Sequence, residues 1–228
     1  LTTAVRSSFK GRDGKWGHLV KISNATGSVS TQPYPSPVWD AQGNGLVVWS
    51  QATTNPQDIW ARFYHPTKGW GTAVKLNTAA TGCSNPSVAM NAAGDAVVAW
   101  QQAEAPNARV YARRYLKGAW EAKPLRVDAF DMTSIRKVVT GISETGEAHV
   151  LWRYDSTYQY LHGSHATGAA AWYTADTYIT GSFDEAAGPT LSFGPDGTGF
   201  MAWSTASGAN VNVRVARYLG GAGNGWSN

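Results

Sequence analysis

The sequence predicts an all-β protein, a β-propeller of four-stranded blades, and three landmarks in register predict it. Turn glycines Gly43, Gly94, Gly146 and Gly197 stand 51, 52 and 51 residues apart. Tryptophans Trp49, Trp100, Trp152 and Trp203 follow them at the same spacings. Eight residues before each glycine come Pro35, Pro86, Val138 and Pro189. A period near 50 residues with four short strands per period is a propeller signature. Each unit is a small twisted sheet that cannot bury both faces alone, and radial stacking buries them against each other. The competing architectures are a β-solenoid, whose coils are usually shorter, and a chain of sandwich domains, which needs more strands per unit.

Each repeat opens with a hairpin. Its turns read D-A-Q-G-N-G, N-A-A-G-D-A, S-E-T-G-E-A and G-P-D-G-T-G, and glycine supplies the positive φ such turns need. Asp40, Asn44, Asp95 and Asp196 in these turns resemble calcium ligands singly, but the full D-x-[DN]-x-[DN]-G loop is missing. The second strand is apolar on both sides, as in Leu46–Trp49 and Val97–Trp100, which suits a strand covered on both faces. The third strand is Ile59–Tyr64, Val110–Tyr115 or Val213–Tyr218. A further Trp (Trp70, Trp120, Trp172, Trp226) then leads into an alternating fourth strand such as Gly71–Leu76. The repeats run 32–82, 83–133, 134–185 and 186–228 within one domain, 1–228, after a half repeat over 1–31: four full blades plus a half blade. Within that half repeat, Ala4–Phe9 and Lys15–Ile22 match third and fourth strands, with Trp16 in the place of Trp70. Lys15–Ile22 is expected to pair beside Val213–Tyr218 and latch the ring. The alternatives are a five-bladed ring, in which the half repeat is the outer half of a fifth blade, and a slice of a larger propeller.

Composition narrows the function. The 228 residues are 43% hydrophobic and 15% charged, enough apolar material for a core and too little charge for a disordered chain. The net charge of +4 is spread along the chain and argues against nucleic acid. No apolar run approaches the roughly 18 residues of a membrane span. Cys83 is the single cysteine, so no internal disulfide forms; it reads as a small residue in a polar inter-repeat loop. The Gly, Ser, Thr, Asn and aromatic richness points to a secreted or surface-bound bacterial protein, as a mature piece or an excised segment.

On these residues the chain resembles the extracellular β-propeller repeat proteins of bacteria across nearly its whole length. In size and tryptophan content it is also similar to the small propeller lectins, which implies sugar pockets repeated around a ring. It departs from other propeller families. The kelch double glycine is absent, the one Trp-Asp pair (Trp39-Asp40) lies at a turn, and S-F-G-P-D-G-T-G (Ser192–Gly199) does not make an Asp-box.

The four repeat tryptophans end the most apolar strand and read as core, as does Trp39, which aligns with Met90, Ile142 and Phe193. Trp60 and Tyr111 share a third-strand position suited to stacking on a sugar. The post-Trp residues, among them Gln51, Gln102, Arg153 and Tyr154, are expected in loops on one rim, where a rigid scaffold carries its ligand groups. The third repeat departs most from its siblings: Arg153–His162 combines Arg153, Tyr154, Tyr158 and His162. His162 and His165 have no evident third ligand, so a metal is not implied; nor is any cofactor. No nucleophile elbow or phosphate loop occurs. Asp155, Asp176, Asp184 and Glu185 are the carboxylates available for glycoside hydrolysis. The expected function is therefore a non-catalytic module that binds a glycan or cell-surface polymer. A protein-interaction platform is the alternative, and a glycoside hydrolase the third reading.

Overall fold

The structure is a computed structural model that describes residues 3–10, 13–24, 27–30, 35–52, 56–78, 81–129, 134–155, 159–183, 188–207, 210–220 and 225–227. These residues form strands and turns and no helix. An N-terminal pair, β1 (Arg6–Ser7) and β2 (Val20–Lys21), precedes four antiparallel sheets. In sheet one, β3 (Ser28–Val29) and β4 (Ser36–Trp39) are two halves of a first strand paired to β5 (Gly45–Ala52). Next comes β6 (Asp58–His65), edged by β7 (Gly69–Trp70) and β8 (Val74–Lys75). Sheet two runs β9 (Cys83–Met90), β10 (Ala96–Glu104), β11 (Asn107–Leu116), then β12 (Ala119–Trp120) and β13 (Leu125–Arg126). Sheet three holds β14 (Ile135–Ile142), β15 (Glu147–Asp155), β16 (Gln159–Thr167) and β17 (Tyr173–Phe183). Sheet four holds β18 (Thr190–Phe193), β19 (Gly199–Ser207), β20 (Asn210–Tyr218) and β21 (Trp226–Ser227). The first strands β4, β9, β14 and β18 neighbour one another in turn, so the sheets curl about an axis that these strands line. The architecture is propeller-like, and no closed ring is seen.

The turn glycines adopt the conformation their spacing demands, with φ of 79°, 88°, 81° and 80° at Gly43, Gly94, Gly146 and Gly197. Asp40 Oδ1 accepts from the N–H groups of Gln42 and Asn44, and Asn91 Oδ1 from those of Ala93 and Asp95. These side chains act as turn caps.

The sheets pack through the repeat tryptophans. Trp49, Trp100, Trp152 and Trp203 are all buried. Trp100, with Val98 and Ala96, packs on Leu46, Val48 and Ile59 of sheet one. Trp152, with Val150 and Ala148, packs in the same way on Val97, Ala99 and Val110, and Trp203 with Met201 on Leu151 and Leu161. Trp49 and Val47 pack on Val5, Ile22 and Val29. The N-terminal pair is thus built as the outer half of a repeat. Val5 N–H donates to Ser23 Oγ, as Ile59 N–H does to Asn77 Oδ1 and Val110 N–H to Asp128 Oδ1.

Four expectations need correction. Lys15–Ile22 does not latch β20: β2 pairs with β1, while β20 pairs with β19 and β21. The reason is burial, since Val5 and Ile22 are covered by Val47 and Trp49 of sheet one. Trp39 is 48% exposed, its ring lying over Gly45 and edge-on to Phe9 and Tyr64. Cys83 begins a strand and is buried, not in a loop. The residues after Trp49 and Trp100 continue their strands to Ala52 and Glu104, so the strands are longer and the loops shorter than expected.

Sheets three and four meet at His149, which is fully buried among His165, Phe193, Tyr218 and Trp226. Burial first, then the neighbouring His165, pushes its pKa down to about 3. Burial lowers that of His165 as well. The unfolded chain takes a proton on His149 near pH 6.5 and the folded chain does not, so acid favours unfolding. Stability is complete above pH 6.5 and declines as pH falls towards 3, with a slope of about 1.4 kcal/mol per unit from this residue. Urea unfolding at pH 7.5 and 5 measures it, and His149→Asn should flatten the slope. Trp100→Ala should cost about 3–5 kcal/mol, read as a lower urea midpoint.

Candidate functional site

At the rim where the second strands run past their tryptophans, the first strands of sheets one, two and three are irregular. The register of β9 against β10 shifts between Ala99 and Gln101, with Asn85 at a φ of 52°. That of β14 against β15 shifts between Ile135 and Val138. In sheet one the same place separates β3 from β4. Bulges re-aim side chains. Here they turn Asn85–Pro86 and Arg136–Lys137 into a shared cleft of about 210 Å³ near the axis, also lined by Ser36 and Ser87. Asn85 Nδ2 donates to Gln101 Oε1 and to the Arg136 carbonyl, which joins the two bulges. Arg136 and Lys137 are exposed, and no lining residue is acidic. The Lys137 stem lies against Gly188, where a Cβ would come within 2.7 Å of it.

Arg136 connects the cleft to the third repeat. Its Nε donates to Asp155 Oδ2 at 3.2 Å, and Arg153 holds the same carboxylate through Nη2 at 3.0 Å. Beside them Tyr154 stacks on Tyr160 and meets His162 edge-on, while His162 stacks on Trp152. Arg153, Tyr154 and His162 are therefore brought together. Tyr158 lies outside the described residues. Trp60, Tyr111 and His162 occupy one equivalent position, each directly across from its repeat tryptophan, so the aromatic group at this place recurs in three sheets.

Gln51 and Gln102 sit beneath this rim and not on it. Gln51 Oε1 accepts from Trp49 Nε1 at 2.8 Å and from Asn24 N–H. Gln102 Nε2 donates to Glu104 Oε1, and its own Oε1 accepts from Cys83 Sγ. Both are buried, so their amides serve the fold, which corrects the expectation that they face a ligand. Trp60 is partly buried against the sheet-one core. Tyr111 is half-buried, with its hydroxyl donating to Glu104 Oε1; burial, then Glu104, pushes its pKa up to about 12. The sequence reading missed Arg136 and Lys137. The signal was present in Val138, where the third repeat lacks the proline of its siblings.

A larger hollow of about 300 Å³ opens at the opposite rim, among Asp40, Tyr64, His65, Asp95 and Tyr115. Its carboxylates are already used. Asp40 caps its own turn, and Asp95 Oδ1 accepts from Lys117 N–H. A ligand there would compete with the fold for both acceptors. Among the described residues no three or more His, Cys, Asp or Glu side chains gather to hold a metal ion, and no helix is long and apolar enough to cross a membrane.

No protein-family model matches the chain, and no curated protein matches it. Solved structures do. A protein of unknown function from Dyadobacter fermentans aligns at a TM-score of 0.56 and 10% identity, over 84% of this chain and 52% of its own. The chain thus spans about half that protein's length. An endo-arabinase from Bacteroides thetaiotaomicron aligns at 0.53 and 10% identity, over 98% and 96%. An α-L-arabinanase from Penicillium chrysogenum, complexed with arabinobiose, aligns at 0.53 and 13% identity, over 92% and 70%. At such identities the likeness is one of fold, and it supports a propeller-type arrangement.

Cys83 offers a check on the rim's inner layer. Burial, and then the charge of Asp58, pushes its thiol up to about 12. A disulfide exchange reagent at pH 8 should leave it unlabelled in the folded chain and react at once in urea. Fast labelling of the native chain would mean that the rim opens.

Proposed function

We propose that this chain is a carbohydrate-binding module that holds an acidic sugar in the cleft between its bulged first strands. The observation that carries the reading is the paired bulge, where Arg136 and Lys137 line one cleft that has no carboxylate among its lining residues, Asp155 lying beside it as the partner of Arg136. Two cationic residues on one cleft favour a carboxylate or sulfate group on the ligand. The neighbouring Tyr154, Tyr160 and His162 rings supply flat faces for the apolar side of a pyranose. Tyr158 belongs to the same proposal by sequence. The structural likeness to an endo-arabinase and to an arabinanase holding arabinobiose supports a saccharide over other small ligands. A secreted or surface setting goes with this reading and rests on composition.

The second reading, a glycoside hydrolase, is favoured by that same likeness. Cleavage by paired carboxylates needs two acids flanking one bond. Asp155, the carboxylate tied to the cleft, is already held by two arginines. Asp184 and Glu185 lie outside the described residues, as does the side chain of Asp176. The binding reading is put first because the cleft offers cations and the acid beside it, Asp155, is engaged by them.

A glycan array separates the readings. The purified chain should retain uronate-bearing or sulfated glycans over neutral ones, with no release of reducing ends on prolonged incubation. Arg136→Gln and Lys137→Gln should each weaken binding about tenfold or more, the scale of a lost charge-assisted hydrogen bond. Lys68→Gln on the opposite rim should not. Binding that prefers neutral sugars, or ignores both cleft changes, would refute the assignment.

A further inference from the structure

Sheet four exposes a face that its siblings hide. Val213 holds the repeat position of Ile59, Val110 and Leu161, each across from the residue that follows its repeat tryptophan. Those three are 0%, 0% and 3% exposed, and Val213 is 75% exposed. Val215 stands where Ala61 and Ala112 are buried, and is 56% exposed. Phe200 stands where Leu46 and Val97 are buried, and is 52% exposed. The chain itself shows three times what covers this face: the second strand of the next repeat, laid on it through a tryptophan and the apolar residue two before.

At the far end of the stack, β1 offers a complementary edge. The N-terminal pair has the third and fourth strands of a repeat, and among the described residues β1 pairs with β2 alone. In each full sheet the third strand also pairs with a second strand. A lone two-stranded ribbon is marginal in water, and an unpaired edge invites another strand.

One object satisfies both ends. We propose that the exposed face of sheet four and the free edge of β1 together bind a β-hairpin of this same repeat. The second strand of that hairpin would pair with β1, and its tryptophan would lie on Val213, Val215 and Phe200. The partner's chemistry follows from the three interfaces already built: a turn glycine, alternating small and branched apolar residues, and a closing tryptophan. Nothing in this inference depends on the sugar-binding reading.

The test joins a second copy of residues 83–104 to Asn228 of the full chain through a flexible Gly/Ser linker. Hydrogen exchange at 211–217 and at 3–8 should slow together, by tenfold or more, and binding of a hydrophobic dye should fall. A copied hairpin carrying Trp100→Ala should give neither change. Val213→Asp lies at an exposed position, so the parent chain should keep its circular dichroism, yet the protection from the added hairpin should vanish. Three results would overturn the proposal. One is exchange unchanged at both segments. Another is protection that ignores either substitution. The third is a parent chain that sediments as a dimer and is split by Val213→Asp, which would give the face to a second copy.

Discussion

A tryptophan wedged between successive sheets is the contact on which the other packing depends. Each repeat places one within its second strand, facing the preceding sheet, and each is buried. The large ring requires small or branched partners opposite it, which is why Leu46, Val48 and Ile59, and again Val97, Ala99 and Val110, occupy the facing positions. It also requires the second strand to be apolar on its other side, since that side receives the next tryptophan. A buried indole N–H wants an acceptor, and Gln51 meets that need for Trp49. A glutamine that looked like a rim ligand group is thereby drawn into the interior.

The shared wedge leaves room for each interface to differ. The third-strand residue across from Leu46, Val97 and His149 is Phe63, Arg114 and His165 in turn. Phe63 packs on Tyr115 and Trp120 of sheet two. Arg114 is buried, pairs with Glu121 at 2.6 Å, donates to the carbonyls of Gly168 and Ala170, and lies over the Trp172 ring. His165 joins the aromatic cluster around His149. These three chemistries are not interchangeable. A buried guanidinium without its carbonyls would be strongly destabilising, so sheet two depends on the carbonyls that sheet three presents to Arg114.

Much of the fold was legible because repetition multiplies weak signals. One Gly turn or one terminal Trp says little, but four of each at one period fixed the hairpins, the four sheets and the buried tryptophans. What escaped was of two kinds. Bulges depend on register between strands, and no local residue pattern announces that Arg136 and Lys137 share a cleft with Asn85. Trp39 departs from its counterparts because alignment with Met90 and Phe193 assumes equal cover, whereas Trp39 meets Phe9 and, within its own sheet, Tyr64 edge-on and stays half exposed. Of the candidate site, the cluster around Arg153, Tyr154 and His162 was legible as the most divergent repeat. Its link to the cleft, through Arg136 and Asp155, needed three dimensions.

The two rims are built for different work. At the turn rim, sheets are tied to one another by the backbone itself. Ala41 N–H donates to the Ala92 carbonyl, Ala92 N–H to the Glu144 carboxylate, and Asn91 Nδ2 to the Ser143 carbonyl. Polar groups there are consumed in holding neighbouring turns together. At the bulge rim the first strands break register, and the broken ladder is bridged by side chains such as Asn85. A regular ladder would send alternate side chains into the inter-sheet cores, where charge cannot be accommodated. By interrupting it at the same level in successive sheets, the chain frees a short stretch of each first strand from that rule. Cations can then stand near the axis without entering the core. Turns tied together on one side and strands interrupted on the other let a stack of apolar sheets carry a polar cleft without loosening the contacts between its tryptophans.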